Sequence, residues 1–247
     1  MLNKNIFFGL IILSITFFSC SPQYGVANQS SLTKYLEKPI YKDSAESAIY
    51  VAGQYFNNSG EGYQQDERSY FVDFSVHRSH THKNFNYSYG VLGYFGNYES
   101  DFEGYEGKKD FYGLGALADI NYKISLDKLE LRIIGLRASI IHEMGEFSDY
   151  REELSDLGLA YNHNIDNTPI YLGFNTDVVY KWNSDFNLGL YMGLGRTFDK
   201  GESSTGSVIY TSILHANYKR FTGLAQLNLA LGGNFAVYSF GLQYQLF

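Results

Sequence analysis

Apolar and polar residues alternate along most of the chain from residue 48 onward. In segment 85–91, aromatic residues and a valine occupy the odd positions, while Asn86, Ser88 and a glycine occupy the even ones. Segments 70–77 and 170–182 repeat this period of two. Such alternation is typical of β-strands that have one apolar and one polar face.

The alternation predicts about ten strands, with eight to twelve as the acceptable range. The predicted strands are 47–56, 68–77, 84–95, 111–123, 129–143, 169–181, 186–198, 206–218, 221–231 and 235–247. Most are about 10–13 residues long, whereas strands of globular proteins usually have about 5–6. A tilted strand that crosses a bilayer needs about 9–11 residues, so these lengths favour a membrane barrel.

Long strands, an even strand count and alternately long and short connections predict an all-β fold, an antiparallel up-and-down transmembrane β-barrel. Closure of the barrel pairs the backbone polar groups, as a lipid environment requires. The composition, with 23 Tyr, 19 Phe, 25 Gly and 3 Pro, agrees with β structure. A soluble, lipocalin-like barrel is the alternative, since it would place apolar side chains inside and the same alternation would suit it.

The first twenty residues, MLNKNIFFGLIILSITFFSC, read as a secretory signal. Lys4 precedes an uncharged run from Ile6 to Phe18, which is too short to span a bilayer. Ser19 and Cys20, the single cysteine of the chain, then resemble the cleavage site of bacterial lipoprotein signals. That resemblance implies cleavage before Cys20 and its acylation, with palmitate as a typical chain. An ordinary signal peptide with an incidental cysteine is the alternative.

Three regions follow from these patterns: a lipoprotein signal peptide at 1–19, a polar lipidated tether at 20–46, and the barrel at 47–247. The whole chain resembles the small lipid-anchored outer-membrane β-barrel proteins of the Bacteroidetes type. The resemblance rests on the pattern and carries no catalytic motif. It implies a Gram-negative cell outer membrane as the location.

Charge is distributed unevenly between the two kinds of connection. The short turns are basic, and the long connections, such as NYESDFEGYEGKKD and EFSDYREELSD, are rich in acids. An even-stranded barrel has both termini on one side, so we expect periplasmic short turns and extracellular long loops. No acidic cluster follows Cys20, so we expect the lipid anchor on the periplasmic side.

The strand phase predicts a polar network in the lumen, because buried charges need partners. Its expected members are Asp73, Asp119, Arg132, Arg137, Asp177, Lys181 and His215. Arg132 and Arg137 have opposite phases within one strand, so one of them would face lipid. A β-bulge near Gly135 would turn both inward, because a bulge adds one residue and glycine tolerates it.

The sequence favours a structural or binding role at the cell envelope, with the protein as an accessory subunit of a larger outer-membrane complex among the options. A rim-located protease or lipid acyl hydrolase that uses His142 and nearby acids is the alternative, and a small pore is the second. We assign no catalytic residue, cofactor or metal, although His80 and His82 have the spacing of a metal clamp. The net charge of −7 argues against nucleic acid as a partner.

Overall fold

The computed structural model describes residues 29–39, 46–60, 68–100, 104, 106–157, 167–198, 208–231 and 235–246. Ten antiparallel strands form a closed barrel in which neighbours along the chain pair and β1 pairs with β10. The strands are β1 (Glu46–Gly60), β2 (Arg68–His82), β3 (Phe85–Ser100), β4 (Gly107–Ser125), β5 (Leu129–Met144), β6 (Ile170–Lys181), β7 (Phe186–Phe198), β8 (Val208–Tyr218), β9 (Phe221–Leu231) and β10 (Phe235–Gln245). The predicted ten-stranded barrel is therefore confirmed. The predicted signal peptide and Cys20 lie outside the described residues.

The outer wall of the barrel is apolar, and its inner wall is polar. Phe74, Phe174 and Phe240 point outward and are 56%, 69% and 67% exposed, whereas Asp73 and Gln226 point inward and are buried. A soluble barrel would have the reverse arrangement, so the lipocalin-like alternative is wrong. An apolar outer wall on long, closed strands is the arrangement that a bilayer requires. Among the described residues, no helix is long and apolar enough to cross a membrane.

Aromatic side chains also cluster on the outer face near the short turns. The contacting pairs are Phe85–Tyr122, Tyr180–Trp182 and Phe221–Tyr244, with ring centroids 5.3, 6.1 and 4.9 Å apart. Aromatic girdles at this height mark the boundary between lipid and water in membrane barrels. The apolar wall therefore ends at the short-turn end in an interfacial belt.

Strands β3 and β4 are longer than predicted on the long-loop side. Their pairing continues through Asn97↔Asp110 to Ser100↔Gly107, across residues that the sequence assigned to an acidic loop. Residues 97–100 and 107–110 are polar on both faces, so they show no apolar–polar alternation. Their backbones still pair, because backbone hydrogen bonds do not require an apolar face. The hairpin therefore extends beyond the apolar wall.

One helix, α1 (Glu146–Asp156), lies in the β5–β6 connection, which the sequence assigned to a loop. Phe147, Tyr150 and Leu154 are buried and lie on one face of the helix, at the spacing i, i+3 and i+7. They pack on a core that includes Tyr98 and Phe111. This short helical period in EFSDYREELSD was the missed signal.

The predicted bulge in β5 is confirmed. The register of β5 against β6 shifts by one residue between Arg132 and Gly135, and its register against β4 shifts by one residue opposite Ile120 and Tyr122 of β4. Within the bulge, Ile134 has a positive φ of 51°. Gly135 has a different role: a Cβ there would overlap the side-chain amide of Asn175. Both Arg132 and Arg137 consequently point into the lumen and are buried.

The described part of the predicted tether differs from the expectation of a periplasmic tail. Residues 29–39, here called the lumen segment, lie inside the barrel and begin with a 3-10 turn at Gln29–Thr33. From Ser30 to Lys38 no residue is more than 3% exposed. Because the segment is polar without a period, its enclosure by the polar inner wall could not be predicted from the sequence.

Candidate functional site

The candidate site is the lumen, where the inner wall binds the lumen segment. Eight of the ten strands contribute side chains that contact this segment: β2, β4, β5, β6, β7, β8, β9 and β10. The alternation of each strand presents polar side chains inward. The segment is thereby held from all around the barrel.

The two lysines of the lumen segment pair with acids of the wall. Lys34 forms a salt bridge with Asp73, and the Ser31 hydroxyl donates a hydrogen bond of 2.7 Å to the same carboxylate. Lys38 Nζ lies 2.7 Å from Asp119 Oδ1. All four charged side chains are fully buried. Since a buried charge is costly without a partner, the wall and the segment each neutralise the other.

Tyr35 sits at the centre of a second cluster. Its hydroxyl donates to Asp177 Oδ2 at 3.0 Å and accepts from Arg132 Nη1 at 3.2 Å. Arg132 also pairs with Asp177 at 2.8 Å, and His215 Nε2 lies 3.0 Å from the other carboxylate oxygen. The rings of Tyr35 and His215 stack with centroids 4.5 Å apart. This cluster joins β5, β6 and β8 through one tyrosine of the segment.

Arg137 binds the backbone of the lumen segment. Its guanidinium donates to the Thr33 carbonyl at 2.9 Å and to Asp119 Oδ2 at 3.1 Å. It also lies over the ring of Tyr191, 5.1 Å from the centroid. The bulge at Ile134 makes these contacts possible, because without it Arg137 would point into lipid.

All seven residues that the sequence assigned to the lumen network face the interior. Six of them are buried, while Lys181 lies at the short-turn edge, with a side chain 16% exposed and paired with Glu130 at 3.2 Å. Sequence reasoning missed Glu130, which also binds Arg132 at 2.9 Å. It also missed Lys34, Tyr35 and Lys38, because a pattern within one strand cannot reveal what lies inside the finished barrel.

His142 and Glu143, neighbours in the sequence, do not lie on the same face of the barrel wall. His142 points outward and contacts the Thr168 hydroxyl at 2.8 Å, whereas Glu143 is buried inside and pairs with Arg151 at 3.1 Å. The two side chains thus lie on opposite faces of β5, and no acid–base pair forms between them. Within the described ranges, no group of three or more His, Cys, Asp or Glu side chains is placed to hold a metal ion.

Helix α1 covers part of the barrel mouth at the long-loop end. Phe147 stacks on Tyr98 with centroids 4.1 Å apart, and the hydroxyls of Tyr150 and Ser100 are 2.9 Å apart. Arg151 ties the helix to Glu143 on the inner wall. An apolar layer that includes Leu32 and Leu36 lies beneath the helix, in the same core cluster. The lumen is therefore polar at mid-height and apolar under the helix.

The rim of the long-loop end carries exposed acidic groups. Glu99 accepts a hydrogen bond of 2.7 Å from the Tyr70 hydroxyl and pairs with Lys108 at 3.2 Å. The pKa of the Glu106 carboxyl is lowered by its own backbone N–H and by that of Gly104. The lowered pKa favours the ionised form of Glu106 at the rim.

No protein-family model matches the sequence, and no curated protein is significantly similar to it. Solved structures resemble it in overall shape. The translocator domain of the autotransporter NalP from Neisseria meningitidis is 10% identical, covers 82% of this chain and 89% of its own, and has a TM-score of 0.46. The β domain of the Bordetella autotransporter Brka is 9% identical over 81% and 98%, with a TM-score of 0.48. Ail of Yersinia pestis is 11% identical over 83% and 100%, with a TM-score of 0.34. Likeness at this level assigns no function to the chain.

Proposed function

We propose that the protein is an outer-membrane lipoprotein whose barrel is closed by its own lumen segment and which has a binding or structural role at the cell envelope. The observation that carries this proposal is the pairing of wall acids with segment lysines, above all Asp73 with Lys34. Among the described residues, the side-chain partners of Asp73 are Ser31 and Lys34, both from the segment. A wall that depends on the segment for charge neutralisation is suited to a closed barrel.

The working surface in this proposal is the long-loop end. It carries helix α1 and the acidic residues of the rim, and it is the end with long connections, which in barrel proteins commonly bind partners. The basic short turns favour an orientation with the long loops outside. The proposed lipid on Cys20 rests on the signal sequence alone. An accessory role in a larger envelope complex is compatible with a closed barrel that binds its partner through the long-loop end.

Conductance tests the closed barrel directly. The purified protein in a planar bilayer should give no steady single-channel current, because the lumen is filled at mid-height by fully buried side chains. A wild-type protein that opens stable channels would show that the barrel works as a pore and would overturn the proposal.

Crosslinking tests the binding role. A photoreactive residue at the exposed position Glu152 on α1 should crosslink to a specific partner in intact cells, while the same residue at Asn183, in a short turn, should not crosslink to that partner. An identical crosslinking pattern at the two positions, or none at Glu152, would count against a binding surface at the long-loop end.

A further inference from the structure

The lumen segment has a definite direction through the barrel. At one end, the Pro39 carbonyl accepts a hydrogen bond from the Thr81 hydroxyl, one residue before β2 ends at the short turn. The Glu37 carbonyl accepts from Ser79 at 2.5 Å, slightly higher on the same strand. The segment therefore enters the lumen at the short-turn end, where β1 also begins.

Its other end lies in the half of the barrel nearer the long loops. The Leu32 carbonyl accepts a hydrogen bond of 2.7 Å from Ser139, and Thr33 donates to Asn228 at 3.0 Å. Both partners belong to the long-loop halves of their strands, β5 and β9. From Pro39 back to Leu32, the backbone thus runs from the short-turn end toward the long-loop end.

Among the described residues, the lumen segment is closely surrounded by wall side chains. From Ser30 to Lys38 each residue is at most 3% exposed, and the inward-facing side chains of Arg132, Arg137 and Tyr191 are buried as well. A second pass would have to displace the paired charges of Lys38 with Asp119 and of Arg132 with Asp177. A chain that continues to the long-loop end leaves these buried ion pairs intact.

We infer that the barrel holds its N-terminal chain as a thread that enters at the short turns and leaves at the long-loop end, so that Cys20 is presented on the long-loop side. The acyl chains proposed for Cys20 would then enter the leaflet that surrounds the long loops. This inference rests on the proposed lipidation and replaces the expectation of a periplasmic anchor. The partner it assigns to the N-terminus is the outer lipid surface.

Chain length and composition support this route. From Gln29 back to Cys20 the chain can reach about 30 Å when extended, at roughly 3.3–3.6 Å per residue. The wall above Asp73 on β2 continues only to Arg68, about 17 Å at roughly 3.3 Å per residue before tilt is allowed for. The sequence 20–29, CSPQYGVANQ, has no charged residue. A stretch of this composition would bring no charge into the apolar layer under α1.

Cysteine labelling tests the thread in the full-length protein. The wild type carries Cys20 as its single cysteine, so Tyr24→Cys, Glu202→Cys and Ser184→Cys each add one thiol, near the N-terminus, in a long loop and in a short turn. Intact cells are treated with a membrane-impermeant maleimide, and a second sample is labelled after permeabilisation. We expect Tyr24→Cys to label on the same side as Glu202→Cys and on the side opposite to Ser184→Cys. Labelling of Tyr24→Cys together with Ser184→Cys would overturn the thread.

The same experiment separates this inference from the proposed function. An acylated Cys20 has no free thiol, so the wild type should stay unlabelled, and radioactive palmitate should be incorporated and lost in Cys20→Ala. A wild type that labels on the Glu202 side supports the thread and overturns the lipidation. If Tyr24→Cys and Glu202→Cys both label only after permeabilisation, the thread stands and the proposed orientation fails.

Discussion

The ammonium group of Lys38 lies 2.7 Å from one oxygen of Asp119, and Arg137 contacts the other oxygen at 3.1 Å. Asp119 belongs to β4, Arg137 to β5 and Lys38 to the lumen segment. All three side chains are at most 1% exposed. A single carboxylate therefore links two strands of the wall to the chain inside it.

Loss of one member of this trio should weaken the whole barrel. We expect Lys38→Met to lower the free energy of unfolding by about 3 kcal/mol, because breaking a buried pair leaves an incompletely compensated charge. Urea unfolding in phospholipid vesicles, followed by the fluorescence of Trp182, measures the change. The matched control is Lys108→Met, whose pair with Glu99 is 64% and 37% exposed, so its loss should change stability far less. Equal effects of the two substitutions would contradict the role of Lys38.

The hydroxyl of Tyr35 should contribute to the stability of the barrel in addition to the ring contacts of this residue. Tyr35→Phe leaves the ring in place but removes the contacts to Asp177 and Arg132. We expect a loss of about 1–3 kcal/mol in the free energy of unfolding, because buried polar groups lose a partner. Tyr55→Phe, on the exposed outer face, should change it by no more than about 0.5 kcal/mol. An unchanged free energy of unfolding in Tyr35→Phe would mean that Asp177 and Arg132 are satisfied without the Tyr35 hydroxyl.

Two glycines provide a test of the packing at the bulge. A Cβ at Gly135 would overlap the amide of Asn175, which itself donates to Asp119 at 2.9 Å. We expect Gly135→Ala to destabilise the barrel by about 1–3 kcal/mol, as overpacking usually does. Gly223→Ala is the control, because a Cβ there meets no heavy atom within 4 Å. Vesicle unfolding of both variants gives the comparison, and a Gly135→Ala barrel as stable as the control would refute the packing argument.

Removal of the lumen segment should open the barrel to ions. Replacement of residues 30–38 by a glycine–serine stretch of equal length deletes the side chains that fill the lumen and leaves the wall charges to water. In planar bilayers we expect conductance steps that the wild type lacks. The same replacement in residues 21–28 is the control, and it should leave the barrel closed. If the 30–38 variant folds, as judged by its strand content, and still fails to conduct, helix α1 or the wall itself closes the lumen.

The docking of helix α1 on the barrel should depend strongly on the ring of Phe147. Phe147 is 1% exposed and stacks on Tyr98, so Phe147→Ala removes a large buried contact. Such changes cost about 3–5 kcal/mol in a core, and here the cost falls on docking of the helix. We expect faster proteolysis within 146–166 in vesicle-embedded protein. Glu152→Ala, at an exposed position, should cleave as slowly as the wild type.

The wall could be predicted from the sequence because each strand carries its own evidence. Alternation in segments such as 85–91 identified the strands, and the opposite phases of Arg132 and Arg137 identified the bulge. The positive φ within the bulge could not be assigned to Ile134 from the sequence, since an isoleucine rarely adopts that conformation. Ile134 takes it because the wall fixes both arginines inward, so tertiary contacts outweigh local preference.

The contents of the lumen could not be predicted in the same way. LTKYLEK has neither a strand period nor a helix of useful length, and its partners are spread over eight strands. Lys34 and Lys38 pair with Asp73 and Asp119, residues that have no local relation to them in the sequence. Their meeting depends on closure of the barrel, which no short window of sequence contains.

The lumen segment also constrains the order of assembly. The Tyr35 carbonyl accepts a hydrogen bond of 2.9 Å from Gln243 in the last strand, 208 positions away along the chain. Because a closed wall of paired strands offers no lateral opening, we expect the segment to lie between the edges when β1 and β10 join. A part of the chain that precedes every strand would then be enclosed by the final strand pairing, and we expect closure to be slow because it depends on contacts of very long sequence separation.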